Sequence, residues 1–165
     1  MVRVLGLDLA TRTGYAVIED GYNLVDCGSW QTRLKKKEDS HRKRFQVLTN
    51  NIEEALQIHK PDVVVIEELH QTRNLNSVKL LGGFYGVTLI AIPDNIPIRM
   101  CHQATAKKDV VKPVLGIAKL DKGHVFDWAV EKYELEGFIL SSHNDITDAI
   151  LMADWGVMKL TKQGE

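Results

Sequence analysis

Cysteine is scarce. The two thiols, Cys27 and Cys101, form no CxxC pair and fall in strand-like surroundings, which predicts reduced, buried side chains. The six histidines are scattered without zinc-ligand spacing. No apolar run approaches the ~20 residues of a membrane span. The opening Met1-Val2-Arg3-Val4-Leu5 leads straight into Gly6 and Asp8, too short an apolar stretch for a signal peptide. Together these absences predict a cytoplasmic protein. Linkers, internal repeats and low-complexity tracts are missing as well, and 165 residues suit one domain over 1–165 with a real core.

A strong net charge is also missing. The formal value of −1 argues by itself against a generic polyanion binder. The charge is unevenly spread, however. Arg33, Lys35, Lys36, Lys37, Arg42, Lys43 and Arg44 face only Glu38 and Asp39 in one stretch. Lys107, Lys108, Lys112, Lys119 and Lys122 face only Asp109 and Asp121 in another. The rest of the chain is correspondingly acidic. Either basic run alone reads as a solvated loop or helix face; the pair makes two candidate phosphate-contacting segments.

Val2–Asp8 reads as a buried strand ending in an acid, Thr13–Ile18 as a second strand and Asn23–Trp30 as a third, with turn chemistry at Glu19-Asp20-Gly21. Close spacing suits an antiparallel meander. The first basic run comes next as a loop. Phe45, Leu48, Ile52, Leu56 and Ile58 then recur at helical spacing until Pro61-Asp62. Val63-Val64-Val65-Ile66 is a β-branched run typical of a central strand, ending in Glu67-Glu68. A helix is expected over Asn74–Ile92, a strand over Ile96–Met100 and a helix around Ala104–Val111. Asp121 looks like the N-cap of a further helix, and a last helix runs from about Asp145 to Leu160, preceded by Ser142-His143-Asn144. The order β-β-β-α-β-α-β-α-α predicts an α/β fold: a mixed five-stranded sheet, three antiparallel strands plus parallel ones, flanked by helices.

Four acids fall at telling places. Asp8 and Glu67 end two strands; if those strands are parallel neighbours, both carboxylates leave one sheet edge. Asp145 and Asp148 are spaced i, i+3 and share a helix face. Singly, each reads as a turn acid, an ion-pair partner or a helix-start acid. Jointly, acids from three remote segments converging on one point would repel one another and raise each other's pKa. Hard divalent cations such as Mg²⁺ or Mn²⁺, one or two per site, relieve that repulsion and serve phosphoryl chemistry.

With those motifs in place, the chain resembles the RuvC-like Holliday-junction resolvases of the ribonuclease-H-like superfamily. Leu5-Gly6-Leu7-Asp8 with Thr11-Arg12-Thr13-Gly14-Tyr15 is similar to that family's opening strand, catalytic Asp and turn. Val64-Val65-Ile66-Glu67 looks like the apolar strand ending in the second acid, and Glu67, directly after the isoleucine, takes that role ahead of Glu68. Asn76-Ser77 and Leu80–Gly86 look like the next helix, the family's usual dimer contact. Val114-Leu115-Gly116 through Asp121-Lys122-Gly123-His124-Val125 resembles its glycine turn and Lys-bearing helix start. Asp145-Ile146-Thr147-Asp148-Ala149 is similar to its terminal D-x-x-D-A helix. Leu9-Ala10 departs from the usual Pro-Gly, and His70 stands where an aromatic is common and would stack on a base more weakly. These departures are compatible with a bacteriophage member. His143 reads as a surface histidine where the last helix begins rather than a metal ligand.

The resemblance implies a ribonuclease-H-like fold and a homodimer that nicks four-way DNA junctions in pairs, leaving 5′-phosphate and 3′-hydroxyl ends. It implies Asp8, Glu67, Asp145 and Asp148 as metal ligands and Lys122 beside the scissile phosphate. Arg12, the two basic runs and His70 are the implied DNA contacts. The Asn74–Ile92 helix is the expected dimer face, with Leu81, Phe84 and Tyr85 as its apolar contacts. Three rivals remain. A nuclease acting on RNA or RNA–DNA hybrids shares the fold. A branched-DNA-binding module with idle acids is the second, although all four acidic positions are filled. Actin-like ATPases and sugar kinases share the opening Gly-x-Asp but need a second lobe and a phosphate-binding glycine loop.

Overall fold

A computed structural model describes residues 2–35, 40–69 and 74–161. Its five strands are β1 (Arg3–Asp8), β2 (Arg12–Glu19), β3 (Asn23–Gln31), β4 (Val63–Glu67) and β5 (Ile98–Cys101). They form one sheet in the order β3-β2-β1-β4-β5. β1 and β3 both run antiparallel to β2, whereas β4 runs parallel to both β1 and β5. The mixed α/β architecture expected from the sequence is the one observed.

The period-2 alternation of strand side chains divides the core in two. Leu5, Leu7, Val17, Val64 and Ile66 meet Leu48, Ile52 and Leu56 of α1 (His41–His59) and Phe84 of α2 (Leu75–Ala91) on one side. Val4, Ala16, Ile18, Val63 and Val65 meet the other layer. That layer holds α3 (Gln103–Ala106), a π-helical turn (Lys107–Val111), α4 (Lys112–Leu115), α5 (Lys122–Tyr133) and α6 (Leu140–Thr161).

Several expected boundaries shift. The first basic run is not all loop: Arg42, Lys43 and Arg44 form the first turn of α1, which Ser40 caps by accepting from the Lys43 N–H. The Ala104–Val111 helix runs on to Leu115 through the π turn. α6 begins at Leu140, so Ser142, His143 and Asn144 lie inside it and Asp145 is not a first-turn acid. Asn74 does cap α2, accepting from the N–H groups of Asn76 and Ser77. Asp121 caps α5 in a reciprocal box: its carboxylate accepts from the His124 N–H, and its own N–H donates to His124 Nδ1.

Candidate active site

The parallel register of β1 with β4 sets Leu7 opposite Ile66, so the next residue of each strand, Asp8 and Glu67, leaves the same sheet edge. Parity then decides their direction. Val4, Gly6 and Asp8 alternate toward the α6 layer, and so do Val63, Val65 and Glu67. Glu68 comes one residue later. Its side chain meets His102 Nε2 at 3.0 Å, and its N–H donates to the Cys101 carbonyl, pinning the end of β4 to β5.

α6 brings the other two acids. It can lie against the strands only because two positions lack a side chain. A Cβ on Gly6 would stand 2.4 Å from the Ala149 carbonyl oxygen, and one on Gly14 would stand 1.9 Å from that of Asp145. Both are closer than non-bonded atoms approach, so the two glycines set the depth at which Asp145 and Asp148 face Asp8. The sequence showed them as motif letters; their packing role needed the layer geometry.

The carboxylates feel one another. Burial, then Glu67, Asp148 and Asp145 as like charges, pushes Asp8 well above the usual carboxylate range, and Asp8 shares a side-chain hydrogen bond with Glu67. Burial pushes Asp148 up to about 6, with Glu67 adding to the rise and Lys122, Lys107 and Gln103 opposing it. Asp145 is also raised by burial, against Arg12 and Lys122. The cationic contacts are loose: Lys122 Nζ lies 3.7 Å from Asp148 and Arg12 Nε 3.8 Å from Asp145. Lys122 is the first residue of α5, where the helix dipole disfavours a cation and an anion would be welcome.

All four donors are hard carboxylate oxygens on flexible side chains, a set that fits Mg²⁺ or Mn²⁺ rather than a thiophilic metal. Among the described residues no three His, Cys, Asp or Glu side chains already stand in ligand positions around one point. Gripping an ion would therefore draw the acids inward and require Lys122 and Arg12 to yield. His143 is engaged elsewhere: its Nδ1 takes the Ile139 N–H at 3.0 Å and its ring stacks on Phe138.

The basic residues divide. Lys107, Lys108, Lys112 and Lys119 line, with Gln103, a groove of about 440 Å³ on the α6 side of the sheet. Gln103 and Lys107 both reach toward Asp148, which joins this groove to the acids. Gln103 was not singled out from the sequence, because nothing local marks it. Arg42, Lys43 and Arg44 stand on the opposite layer, where Arg42 borders a recess with Phe45 and Val87. Arg33 and Lys35 come after β3 as exposed residues. Lys36, Lys37 and His70 lie outside the described residues.

The same fold recurs in known proteins. The family model for crossover junction endodeoxyribonuclease RuvC matches residues 4–153. This chain belongs to the RuvC family. A RuvC from Chlorobium phaeobacteroides is 29% identical over 154 residues, covering 91% of this chain and 78% of that protein. One from Baumannia cicadellinicola is 32% identical over 153 residues, covering 90% and 81%. Among solved structures, Thermus thermophilus RuvC in complex with a Holliday junction substrate superposes with a TM-score of 0.78 at 17% identity, covering 98% of this chain and 96% of that one. The yeast mitochondrial Holliday junction resolvase gives 0.66 at 13% identity, covering 99% and 82%. At these identities the two structures speak for the ribonuclease-H-like fold of the RuvC family.

Proposed function

We propose that this RuvC-family chain, acting as one nuclease domain over 1–165 in the cytoplasm, is a structure-selective endonuclease that resolves four-way DNA junctions by paired nicks. The observation that carries the reading is the meeting of Asp8, Glu67 and Asp148 at one sheet edge, each adding to another's charge. Asp8, Glu67, Asp145 and Asp148 would hold one or two Mg²⁺, with Mn²⁺ as a substitute. Bound there, such ions supply charge neutralisation at the phosphate, an activated water and a stabilised leaving oxygen. The chain's own groups do the rest. Lys122, freed from Asp148, holds a non-bridging phosphate oxygen. Arg12, beside Asp145, takes a neighbouring phosphate. Lys107, Lys108, Lys112 and Lys119 fix the register of the backbone without reading sequence. Arg33, Lys35, Lys36, Lys37, Arg42, Lys43, Arg44 and His70 are assigned to more distant arms of the junction. The products are a 5′-phosphate and a 3′-hydroxyl.

A two-fold junction is matched by a homodimer, and α2 is its proposed interface. Leu75, Val78, Leu89 and Ile90 are exposed there, and a Cβ on Gly82 or Gly86 would meet nothing. Phe84 is not available for the contact expected of it: it is fully buried and packs edge-on to Phe45.

The test is cleavage of a synthetic mobile four-way junction in Mg²⁺ by the intact chain and by Asp8→Asn. Paired nicks that vanish in the variant while junction binding persists support the reading. Cleavage of RNA–DNA hybrids in preference to junctions would favour the ribonuclease alternative. Binding without cleavage in Mg²⁺ or Mn²⁺ would leave a non-catalytic module.

A further inference from the structure

The helix that carries the groove lysines is not regular. At Lys112 the backbone N–H bonds to the Lys107 carbonyl, five residues back, instead of four. The sequence holds a reason. Pro113 has no N–H to offer Asp109, and its ring would collide with the Asp109 carbonyl in an unbroken α-helix. The wider turn relieves that clash and rotates the next turn of helix. At α-helical spacing Lys112 would stand about 140° round the axis from Lys107. The π turn brings it back toward the Lys107 side, and Lys107, Lys108 and Lys112 all line one groove.

A π turn needs an anchor, and Asp109, in its middle, has one. Its Oδ2 accepts from the Trp155 indole N–H at 3.2 Å and meets Lys159 Nζ at 2.8 Å, both from α6. Val110 and Val111, next in sequence, are both buried against the same layer. Asp109 therefore faces away from the groove and toward the helix that bears Asp145 and Asp148. Its acid is the one negative charge of the π turn, and its direct contacts go to Trp155 and Lys159 of α6, with Lys108 acting on it only at longer range.

We propose that Asp109, clamped by Trp155 and Lys159, is a positioning residue for DNA phosphate binding: it holds the π-turn register that gathers Lys107, Lys108 and Lys112 on one rim. The inference rests on the junction-binding reading above. It assigns the rim's alignment to a contact with α6, so that groove and acids keep a fixed relation to one another.

Two variants test it, Asp109→Asn, which keeps the shape and removes the charge, and Trp155→Phe, which keeps an aromatic ring under Lys159 and removes the indole donor. Each is compared with the intact chain for four-way-junction affinity in Ca²⁺ across a salt series, for thermal midpoint, and for the amide NMR signals of residues 107–112 without DNA. The expected result is a Kd raised about 3- to 10-fold, a log Kd against log salt slope flattened by about one phosphate contact, and shifted 107–112 amides. A purely structural role would lower the thermal midpoint and leave the salt slope of the folded protein unchanged. Unchanged slope and affinity with unmoved amides overturn the proposal. If the intact chain shows no salt-dependent junction binding, the functional reading fails, and the DNA-free amide signals still decide whether Asp109 holds the register.

Discussion

Asp148 and Asp154 lie less than two turns apart on α6 and are almost equally sealed, at 2% and 1% exposure. Their surroundings differ. Asp154 is met by Lys132 Nζ at 2.5 Å and by the Tyr133 hydroxyl at 2.6 Å, and Lys132 itself is covered by the Tyr22 ring at 4.1 Å. Asp148 has Lys122 at 3.7 Å, a Gln103 hydrogen bond and the more distant Lys107 on one side, and on the other two further carboxylates whose charges oppose its own ionisation or that of its neighbour. Burial raises both pKa values. At Asp154 direct partners from α5 offset part of that cost, and the result is a latch between α5 and α6. At Asp148 more of the cost is left standing, in keeping with the metal-ligand role proposed for it. A buried acid by itself is thus no sign of chemistry; the distance and sign of its surroundings are.

The comparison can be broken most sharply by cleavage. Asp148→Asn is expected to reduce junction nicking by ~10³-fold or more, about 4 kcal/mol of transition-state stabilisation, whereas Lys132→Met should retain nicking per folded molecule. Equal losses measured in a junction-cleavage assay would erase the distinction. Stability should show the reverse. Asp154→Ala strands Lys132 and is expected to cost roughly 2–4 kcal/mol in urea unfolding.

A subtler expectation concerns pH. The Asp148 carboxyl is raised to about 6 in the folded chain from an ordinary value of 3.8. Its contribution to stability is therefore complete below about pH 4 and is lost as pH climbs through about 6. In chelator at pH 7.5, Asp148→Asn should then unfold at higher urea than the intact chain, by up to about 3 kcal/mol. The gap should close as pH falls to about 4. Added Mg²⁺ should stabilise the intact chain and not the variant. A variant less stable than the intact chain in chelator would place Asp148 with Asp154 as a structural acid. The smallest effect is expected at Lys122, which is 62% exposed at the side chain. Lys122→Met should slow nicking about 10-fold at saturating junction, measured in single turnover, with little change in unfolding.

Much of this layout was legible in the sequence. The β-branched run Val63–Ile66, the strand-terminal acids and the i, i+3 pair in α6 carry local signals, because strand burial and helix periodicity are properties of neighbouring residues. The Asp121 cap was legible for the same reason. The basic runs are only charge in the sequence, yet the sheet puts Arg42, Lys43 and Arg44 of the first on the layer opposite Lys107, Lys108 and Lys112 of the second, whose Lys107 and Lys122 act on Asp148. The start of α6 is not announced by the sequence, because Ile139, the residue before it, is a poor cap, whereas the cap-type residues Ser142 and Asn144 lie inside the helix and point to a later start.

The sequence by itself determined the alternation that sends Asp8 and Glu67 to one face, the spacing that pairs Asp145 with Asp148, and the proline that forbids a regular helix at 113. Tertiary structure alone decided that β4 lies beside β1 in parallel register, that Gly6 and Gly14 admit α6 to contact depth, and that Asp109 turns to Trp155 rather than to its own lysines. The physical reason is range. Backbone preference and side-chain periodicity act over a few residues, whereas like charges from three segments meet only after burial of two apolar layers has brought those segments together.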